Sequence, residues 1–577
     1  MTHDDSWRTP SEAWRSGPWS LERRGDELAD VRWRGRVVLR SVRAVARDRD
    51  WNTPAMHVDA VAASPGALEI SVHADDFGAA ISGAVRVRAD GDRLTIGWRG
   101  VSAVDWLTNR TGLVALHPPH LAGAGLDVVH ADGSSERTAF PTAISPHQPV
   151  RDITRLGWRD AGMDVAVAFS GDVFEMEDQR NWTDASFKTY SRPLDLPFPY
   201  PVAAGQELRQ SIEISVAGEP EPDHAVSSRI GLVPSGAFPE ILTCASSAPD
   251  PAPAIPPIGE TLLVELDLAA PNWRAALHRV PQRPLDVRLV LPQDDEDLSP
   301  VSVRALDAAV DALADREIRR IAAFSRQVHT ARSVHVSALR CALSRVGVSA
   351  HVVVGARSHF TELNREQAAL PADADGVVFA STPLFHALGT EQLVESVAMQ
   401  RLTAEQAVRI ARGLPVHVGP VTLRPRYNNV ATAPAPMPSR DDLAEGYGAA
   451  FTGGVGDRQT ASELAAWVIA SAAAFAVPGV SSIAYFEEWG PRGLYTADGA
   501  VLPAVSAMRA LAALSGAELL SGASPDGLLW AVGGRRDGRE VVLAANLSDS
   551  ARTAVVEVDG REIEVALEAW GWAERTV

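Results

Sequence analysis

Four stretches of the chain hold side chains suited to acid–base and electrostatic catalysis. Arg357-Ser358-His359-Phe360-Thr361-Glu362 combines a guanidinium, an imidazole and a carboxylate, and Ser381-Thr382-Pro383-Leu384-Phe385-His386 ends in an imidazole. Thr422-Leu423-Arg424-Pro425-Arg426-Tyr427-Asn428-Asn429 offers two guanidiniums, a phenol and two amides, and Tyr485-Phe486-Glu487-Glu488-Trp489 sets two glutamates side by side. A carboxylate or imidazole can take a proton from water, a guanidinium can hold a developing oxyanion, and a phenol can protonate a leaving group. A fifth stretch, residues 174–190, packs Glu175, Glu177, Asp178, Arg180, Asn181, Trp182, Asp184, Lys188 and Tyr190 into seventeen positions. Lys188 is the single lysine among the 54 basic residues, so its type is under some constraint.

Each group also has an ordinary structural reading. Glu362 can pair with Arg365 on a solvated loop, and His386 can be a hydrogen-bonded core histidine. Neighbouring residues of a strand face opposite sides, so one of Glu487 and Glu488 is expected to point inward and the other away. One of Arg424 and Arg426 can simply satisfy a neighbouring carboxylate. The 174–190 stretch reads as a clamp between domains, as a loop that closes over a site and supplies Lys188 or Arg180 to an anion, or as both at once. The run Phe140–Pro149 is placed to brace it.

The elements that must position these residues follow from periodicity. Residues 1–222 read as a β-sandwich: runs such as Ala67–Val72, Met163–Phe169 and Leu208–Val216 alternate or cluster apolar residues between turn signals. The polar, proline-rich segment Ala217–Asp223 marks the first boundary. Over residues 223–516, apolar strands at Ile230–Val233, Leu262–Leu268, Val287–Leu291, Ile318–Phe324, Ala350–Val354, Gly376–Phe379, Val416–Val418 and Ser481–Tyr485 alternate with helical patterns. Eight such units predict a (β/α)8 TIM barrel, whose working groups sit at the carboxyl ends of the strands. All four catalytic stretches follow such strands. Residues 517–577 return to short strands and turns, a small antiparallel β domain.

Composition removes several classes of function. The 577 residues carry 54 basic and 73 acidic side chains, a net charge of −19, which argues against nucleic acid or an anionic membrane as partner. Asp4, Asp5, Arg8, Glu12 and Arg15 stand where a signal peptide needs an apolar core, so a cytoplasmic location is expected. The uncharged stretch Leu464–Val480 has 17 residues, mostly alanine, and ends in Pro478-Gly479; it predicts a buried helix rather than a membrane span. Cys244 and Cys341 match no zinc or redox spacing. G-x-S-x-G, H-E-x-x-H, H-x-H and glycine-rich nucleotide loops are missing from the sequence. No feature sets an oligomeric state.

The run Glu175–Tyr190, the run Ile144-Ser145-Pro146-His147-Gln148-Pro149 and the run Glu487-Glu488-Trp489-Gly490-Pro491-Arg492-Gly493 resemble the D-apionate lactonase family, and the resemblance covers nearly the whole chain, including its β–barrel–β order. It implies a carboxylic ester hydrolase that opens D-apionolactone to D-apionate in bacterial apiose catabolism. Opening a sugar lactone requires no metal or other cofactor. On that reading Glu487 or Glu362 is the base, Arg426 or Lys188 holds the oxyanion, and His386 or Tyr427 protonates the leaving alkoxide. Arg180, Asn181, Trp182, Tyr427, Asn428 and Glu488 bind the substrate. Two alternatives stand beside it, a glycoside hydrolase and a non-catalytic carbohydrate-binding protein. The barrel also resembles that of retaining glycosidases, but the end of the fourth strand, Ser325-Arg326-Gln327, lacks their Asn-Glu pair.

Overall fold

The computed structural model describes residues 7, 9–222, 227–293, 298–431, 436–448 and 454–576. Asp223, the last residue of the expected boundary segment, lies outside them.

Between Glu12 and Gly218, seventeen antiparallel strands join into one hydrogen-bonded system around one apolar core. The expected pair of separate sheets is thus continuous. Long strands make the connection: Val150–Asp160 pairs in turn with Gly125–His130, Met163–Ser170 and Phe174–Asp178. Half-burial is read directly from alternation, as in Met163–Ser170, where every second side chain is buried. The 174–190 stretch is not a loop. Phe174–Asp178 and Phe187–Tyr190 pair antiparallel, with the short 3-10 turn Gln179–Trp182 between them.

Eight parallel strands close into a barrel: Glu240–Cys244, Leu262–Asp267, Leu285–Val290, Ile318–Phe324, His351–His359, Gly376–Ser381, Val416–Val421 and Val480–Trp489. The eighth pairs in parallel with the first, which completes the cylinder. The first strand is therefore Glu240–Cys244. The expected one, Ile230–Val233, belongs to Arg229–Ala237, which pairs with Arg552–Val558 and Glu518–Ser521 in a seven-stranded sheet otherwise built from the C-terminal segment. The burial pattern explains the difference. Arg229–Ala237 alternates buried and exposed positions, as a strand with one wet face does, whereas barrel strands such as Leu285–Val290 are buried on both faces.

The uncharged stretch forms the helix Leu464–Phe475, in which every residue is buried. It lies between Thr390–Ala411, Ala504–Leu514 and the sheet strands Leu529–Arg536 and Arg539–Asn546, which accounts for apolar residues on all its sides. No helix among the described residues is long and apolar enough to cross a membrane.

Register breaks gather at the carboxyl ends of the barrel strands. They fall between Gly355 and His359, between Phe379 and Ser381, between Val418 and Val421, and opposite Phe486. Bulges of this kind re-aim side chains at a barrel rim. Gly355 has φ +124°, and a Cβ there would lie 2.2 Å from the Val378 carbonyl oxygen. Only glycine lets the fifth strand leave its neighbour at that point and turn Arg357 toward the barrel mouth. Gly355→Ala is expected to cost about 3 kcal/mol through overpacking and backbone strain, read as a lowered urea midpoint with an unchanged denaturant slope.

Candidate active site at the barrel mouth

A cavity of about 1280 Å³ opens at the carboxyl ends of the strands. Of the residues expected from sequence, Arg426, Tyr427, Asn428, Glu487 and Glu488 line it, together with Glu265, Arg279, Arg283, His329, Arg357 and Arg492.

Glu265 anchors the central group. It ends an otherwise apolar run on the second strand, and its Oε1 accepts Arg357 Nη2 at 3.0 Å and Arg426 Nη1 at 3.1 Å. Burial works to raise the Glu265 carboxyl, but the two guanidiniums outweigh it and bring it down to about 2. Arg357 lies 4.1 Å from the Tyr427 ring centroid and Arg426 lies 5.2 Å from it. The Tyr427 hydroxyl is buried without a hydrogen-bond partner among the described residues. Burial pushes its phenol up to about 12, so it stays protonated at neutral pH. Arg357 Nη1 donates to His329 Nδ1 at 3.0 Å, which leaves the histidine proton on Nε2, 3.2 Å from the Asn429 carbonyl. Burial and Arg357 lower His329 to about 3. His329 therefore orients Arg357 and has no free basic nitrogen to offer.

Both glutamates of the eighth strand line this cavity, and they take different partners: Glu487 meets Ser247 and Arg492, whereas Glu488 meets Thr243 and Arg283. A bulge precedes them. Thr243 pairs with Tyr485 but Cys244 pairs with Glu487, so Phe486 is an extra residue, held at φ 46°. Glu487 accepts the Ser247 amide at 2.9 Å and the Ser247 hydroxyl at 2.8 Å, and pairs with Arg492 at 2.8 Å. Glu488 engages only one oxygen among the described residues: Oε1 accepts Arg283 Nη1 at 2.7 Å and Thr243 Oγ1 at 3.2 Å. Burial raises the Glu488 carboxyl above its ordinary range, with Arg283 partly offsetting it.

The remaining expected residues form a separate, packed cluster where the N-terminal domain meets the barrel. Glu362 sits in the first turn of Phe360–Arg365 and accepts Ser358 Oγ at 2.8 Å, the His359 amide at 3.1 Å and Asn429 Nδ2 at 2.8 Å. Burial raises its carboxyl, with Ser358 partly offsetting it. His386 bonds Asp184 at 2.7 Å. Lys188 pairs with Glu177. Arg180 is 2% exposed and gives its donors to Asp178 and to the carbonyls of Pro141, Thr142 and Ala143, so it does not reach the cavity. Asn181 accepts Asn364 Nδ2 at 2.9 Å through its side chain and Thr361 Oγ1 at 2.9 Å through its carbonyl. Trp182 stacks on Phe385 with centroids 4.6 Å apart and planes 9° apart. Of the two readings of this stretch, the contacts are those of a clamp. Ile144 from the bracing run bonds Gln406 through both its amide, at 2.7 Å, and its carbonyl, at 2.9 Å.

Sequence reasoning passed over Glu265 and His329, and it placed Arg357 and Asn429 in the candidate stretches without giving either a role. Glu265 carried a readable signal, a carboxylate inside the apolar run Leu262–Leu268. His329 lies in a loop that no pattern marks. No group of three or more His, Cys, Asp or Glu side chains among the described residues is placed to hold a metal ion.

A closed parallel barrel with charged and hydrogen-bonding groups gathered at its strand ends defines a TIM-barrel protein built to bind a polar small molecule. The chain belongs to the D-apionate lactonase family: residues 1–219 match that family's N-terminal domain and residues 245–516 its TIM barrel domain. A D-apionate lactonase from Brucella anthropi is 35% identical over 212 residues, 35% of this chain and 35% of that protein, so the match spans about a third of the relative's length. Among solved structures, SrfJ from Salmonella typhimurium aligns with 63% of this chain and 96% of its own at 10% identity and a TM-score of 0.38. A putative aldose 1-epimerase from Escherichia coli K12 aligns with 36% of this chain and 99% of its own at 10% identity and a TM-score of 0.27. Likenesses this weak say nothing about activity.

The buried histidines set a pH dependence. His329 and His359 are lowered to about 3, chiefly by burial, against an ordinary value of about 6.5 in the unfolded chain. Their contribution to stability is complete above about pH 6.5 and is lost as pH falls, because the unfolded chain then binds protons the fold excludes. Between pH 6 and 5, unfolding free energy is expected to drop by up to about 1.4 kcal/mol per pH unit for each histidine. Denaturant titrations across that range check this, and His359→Gln should remove one histidine's share of the slope.

Proposed function

We propose that the protein is a lactone hydrolase that opens D-apionolactone to D-apionate, a step in bacterial breakdown of the sugar apiose. The observation that carries this reading is the pairing of two arginines, Arg357 and Arg426, with the single carboxylate of Glu265 at the cavity wall. Two cations share one anion, which leaves one positive charge for the oxyanion of ester hydrolysis and then for the product carboxylate. Membership of the D-apionate lactonase family and the relative in Brucella anthropi support the substrate.

In this mechanism Glu488 takes a proton from a water molecule as its oxygen attacks the lactone carbonyl. Its raised carboxyl is a stronger base than an exposed glutamate, and its second oxygen is unengaged. Negative charge collects on the carbonyl oxygen beside Arg426 and Arg357. When the tetrahedral intermediate collapses, the ring C–O bond breaks and the departing alkoxide takes the proton held by Glu488 through water, so lactone and water become one hydroxy acid. Asn428 binds a substrate hydroxyl, and Arg492 fixes Glu487 as a second acceptor for hydroxyls. Glu362 acts from outside the cavity, through Asn429.

A weakly buffered assay with a pH indicator tests the reading. Acid release from D-apionolactone and no cleavage of aryl glycosides are expected; the reverse pattern would sink it. Glu488→Gln should lower kcat by about 10²–10⁴-fold and Arg426→Met by about 10²–10³-fold. Glu362→Gln should fall well short of either, since it only positions Asn429.

A further inference from the structure

One group of cations has no part in this chemistry. The strand Arg36–Asp48 runs beside Trp106–His117 with Arg47 directly opposite Arg110, and Phe187–Tyr190 pairs with the other edge of Trp106–His117, setting Lys188 opposite Leu116 and Tyr190 opposite Val114. Register partners lie on one face of a sheet. Ala44 and Ala46 are in or against the domain core, so Arg47, Arg110, Lys188 and Tyr190 occupy the opposite face. That face meets the barrel: three residues beyond Arg47, the Asp50 carbonyl accepts Asn428 Nδ2 at 3.1 Å.

Two arginines in register repel one another, and neither has a carboxylate within ion-pair distance among the described residues. Arg47 makes one hydrogen bond, from Nη1 to the Trp51 carbonyl at 3.3 Å. Arg110 is 6% exposed, and its Nε and Nη2 are buried with no acceptor. Its guanidinium lies 3.4 Å from the Tyr190 ring centroid and 5.3 Å from that of Trp51. Such contacts offset only part of what burying an ion costs. The acids nearby are engaged: Glu177 by Lys188, Asp184 by His386, and Glu175 by the Tyr190 hydroxyl and the Leu194 amide. Burial, with Arg110 adding to it, lowers Arg47 to about 10.

We infer that Arg47 and Arg110, with Lys188 beside them, form a binding site for a small oxyanion, a carboxylate or a phosphate, at the seam between the N-terminal domain and the barrel. Paired guanidiniums present planar forks that match either group, and an oxyanion would supply the acceptors that Arg110 lacks. The site is separate from the lactonase cavity and stands without that reading.

Calorimetric titration of the full chain with inorganic phosphate, and separately with D-gluconate as a sugar-acid carboxylate, tests it. Saturable one-to-one binding of at least one probe is expected, weakened at least tenfold by Arg110→Met and by Arg47→Met and kept by Arg426→Met. Binding of phosphate alone assigns the site to inorganic phosphate, and binding of gluconate alone assigns it to sugar acids. If Arg110→Met does not fold, Arg110→Lys keeps the charge without the fork and should still weaken binding. No saturable binding of either probe, unchanged affinity in the Arg110 variant that folds, or loss in Arg426→Met alone would overturn the inference. Because Arg426→Met removes the proposed oxyanion group but not this site, failure of one reading leaves the other measurable.

Discussion

The site depends on one shared contact, the Glu265 carboxylate bridging Arg357 and Arg426. Three charges at the mouth of an apolar barrel are costly to desolvate, and they persist because each restrains the others. Removing one partner of such a pair costs about 3–5 kcal/mol, since the remaining charge is left without its counterpart. The triad also ties three distant parts of the chain together. Glu265 comes from the second strand, Arg357 from the fifth and Arg426 from beyond the seventh, so the barrel must be closed before the charges can meet. Tyr427 then lies against both guanidiniums, and its place is fixed by them rather than by a hydrogen bond of its own.

From Arg357 a chain of contacts leads out of the cavity into the other domain. Arg357 donates to His329, His329 bonds the Asn429 carbonyl, and the Asn429 amide donates to Glu362. Glu362 accepts the His359 amide, and the His359 ring lies 5.1 Å from that of Trp182 in the N-terminal domain. Asn181 and Ile144, bonded to Asn364 and Gln406, hold that domain against the same part of the barrel. The acidic-aromatic stretch thus acts on the cavity through geometry. Its own charges are spent at the interface, where Arg180 and Asp178 neutralise one another in full burial. Hydrogen bonds that cross an interface in this number fix orientation more than they add stability, because each replaces a bond to water.

How much of this was legible in the sequence varied with how local the cause was. Seven of the eight barrel strands could be read because burial on both faces leaves mainly apolar runs. The first could not, since Glu240–Cys244 is five residues long and the nearby Ile230–Val233 imitates it. Arg426, Tyr427 and Asn428 beyond strand seven, and Glu487 and Glu488 near the end of strand eight, were identifiable because the carboxyl end of a barrel strand opens on the mouth. Glu362 and His386 also follow strands, yet Glu362 is held by Ser358, His359 and Asn429, and His386 faces the N-terminal domain. Their direction is set by the turn at Phe360–Arg365 and by Asp184, 202 positions away from His386. No local pattern encodes a partner at that distance. Glu265 was hidden for the opposite reason: inside a mainly apolar strand an acid looks like an exception to the core.

The two glutamates of the eighth strand show how small the deciding feature can be. Strict alternation gives a strand one inward carboxylate for every two residues. A single added residue, Phe486 in the left-handed region, precedes both glutamates and resets which of them faces inward. Holding a bulky residue there costs about 1–3 kcal/mol, and the strand tolerates it because Phe486 is buried in the barrel core, 6.5 Å from the Trp467 ring of the fully apolar helix. Burial of that helix between barrel and C-terminal sheet is therefore part of the site as well. It supplies the packing that holds a strained residue in place, and the strained residue sets the register in which Glu487 meets Ser247 and Arg492 at the cavity wall.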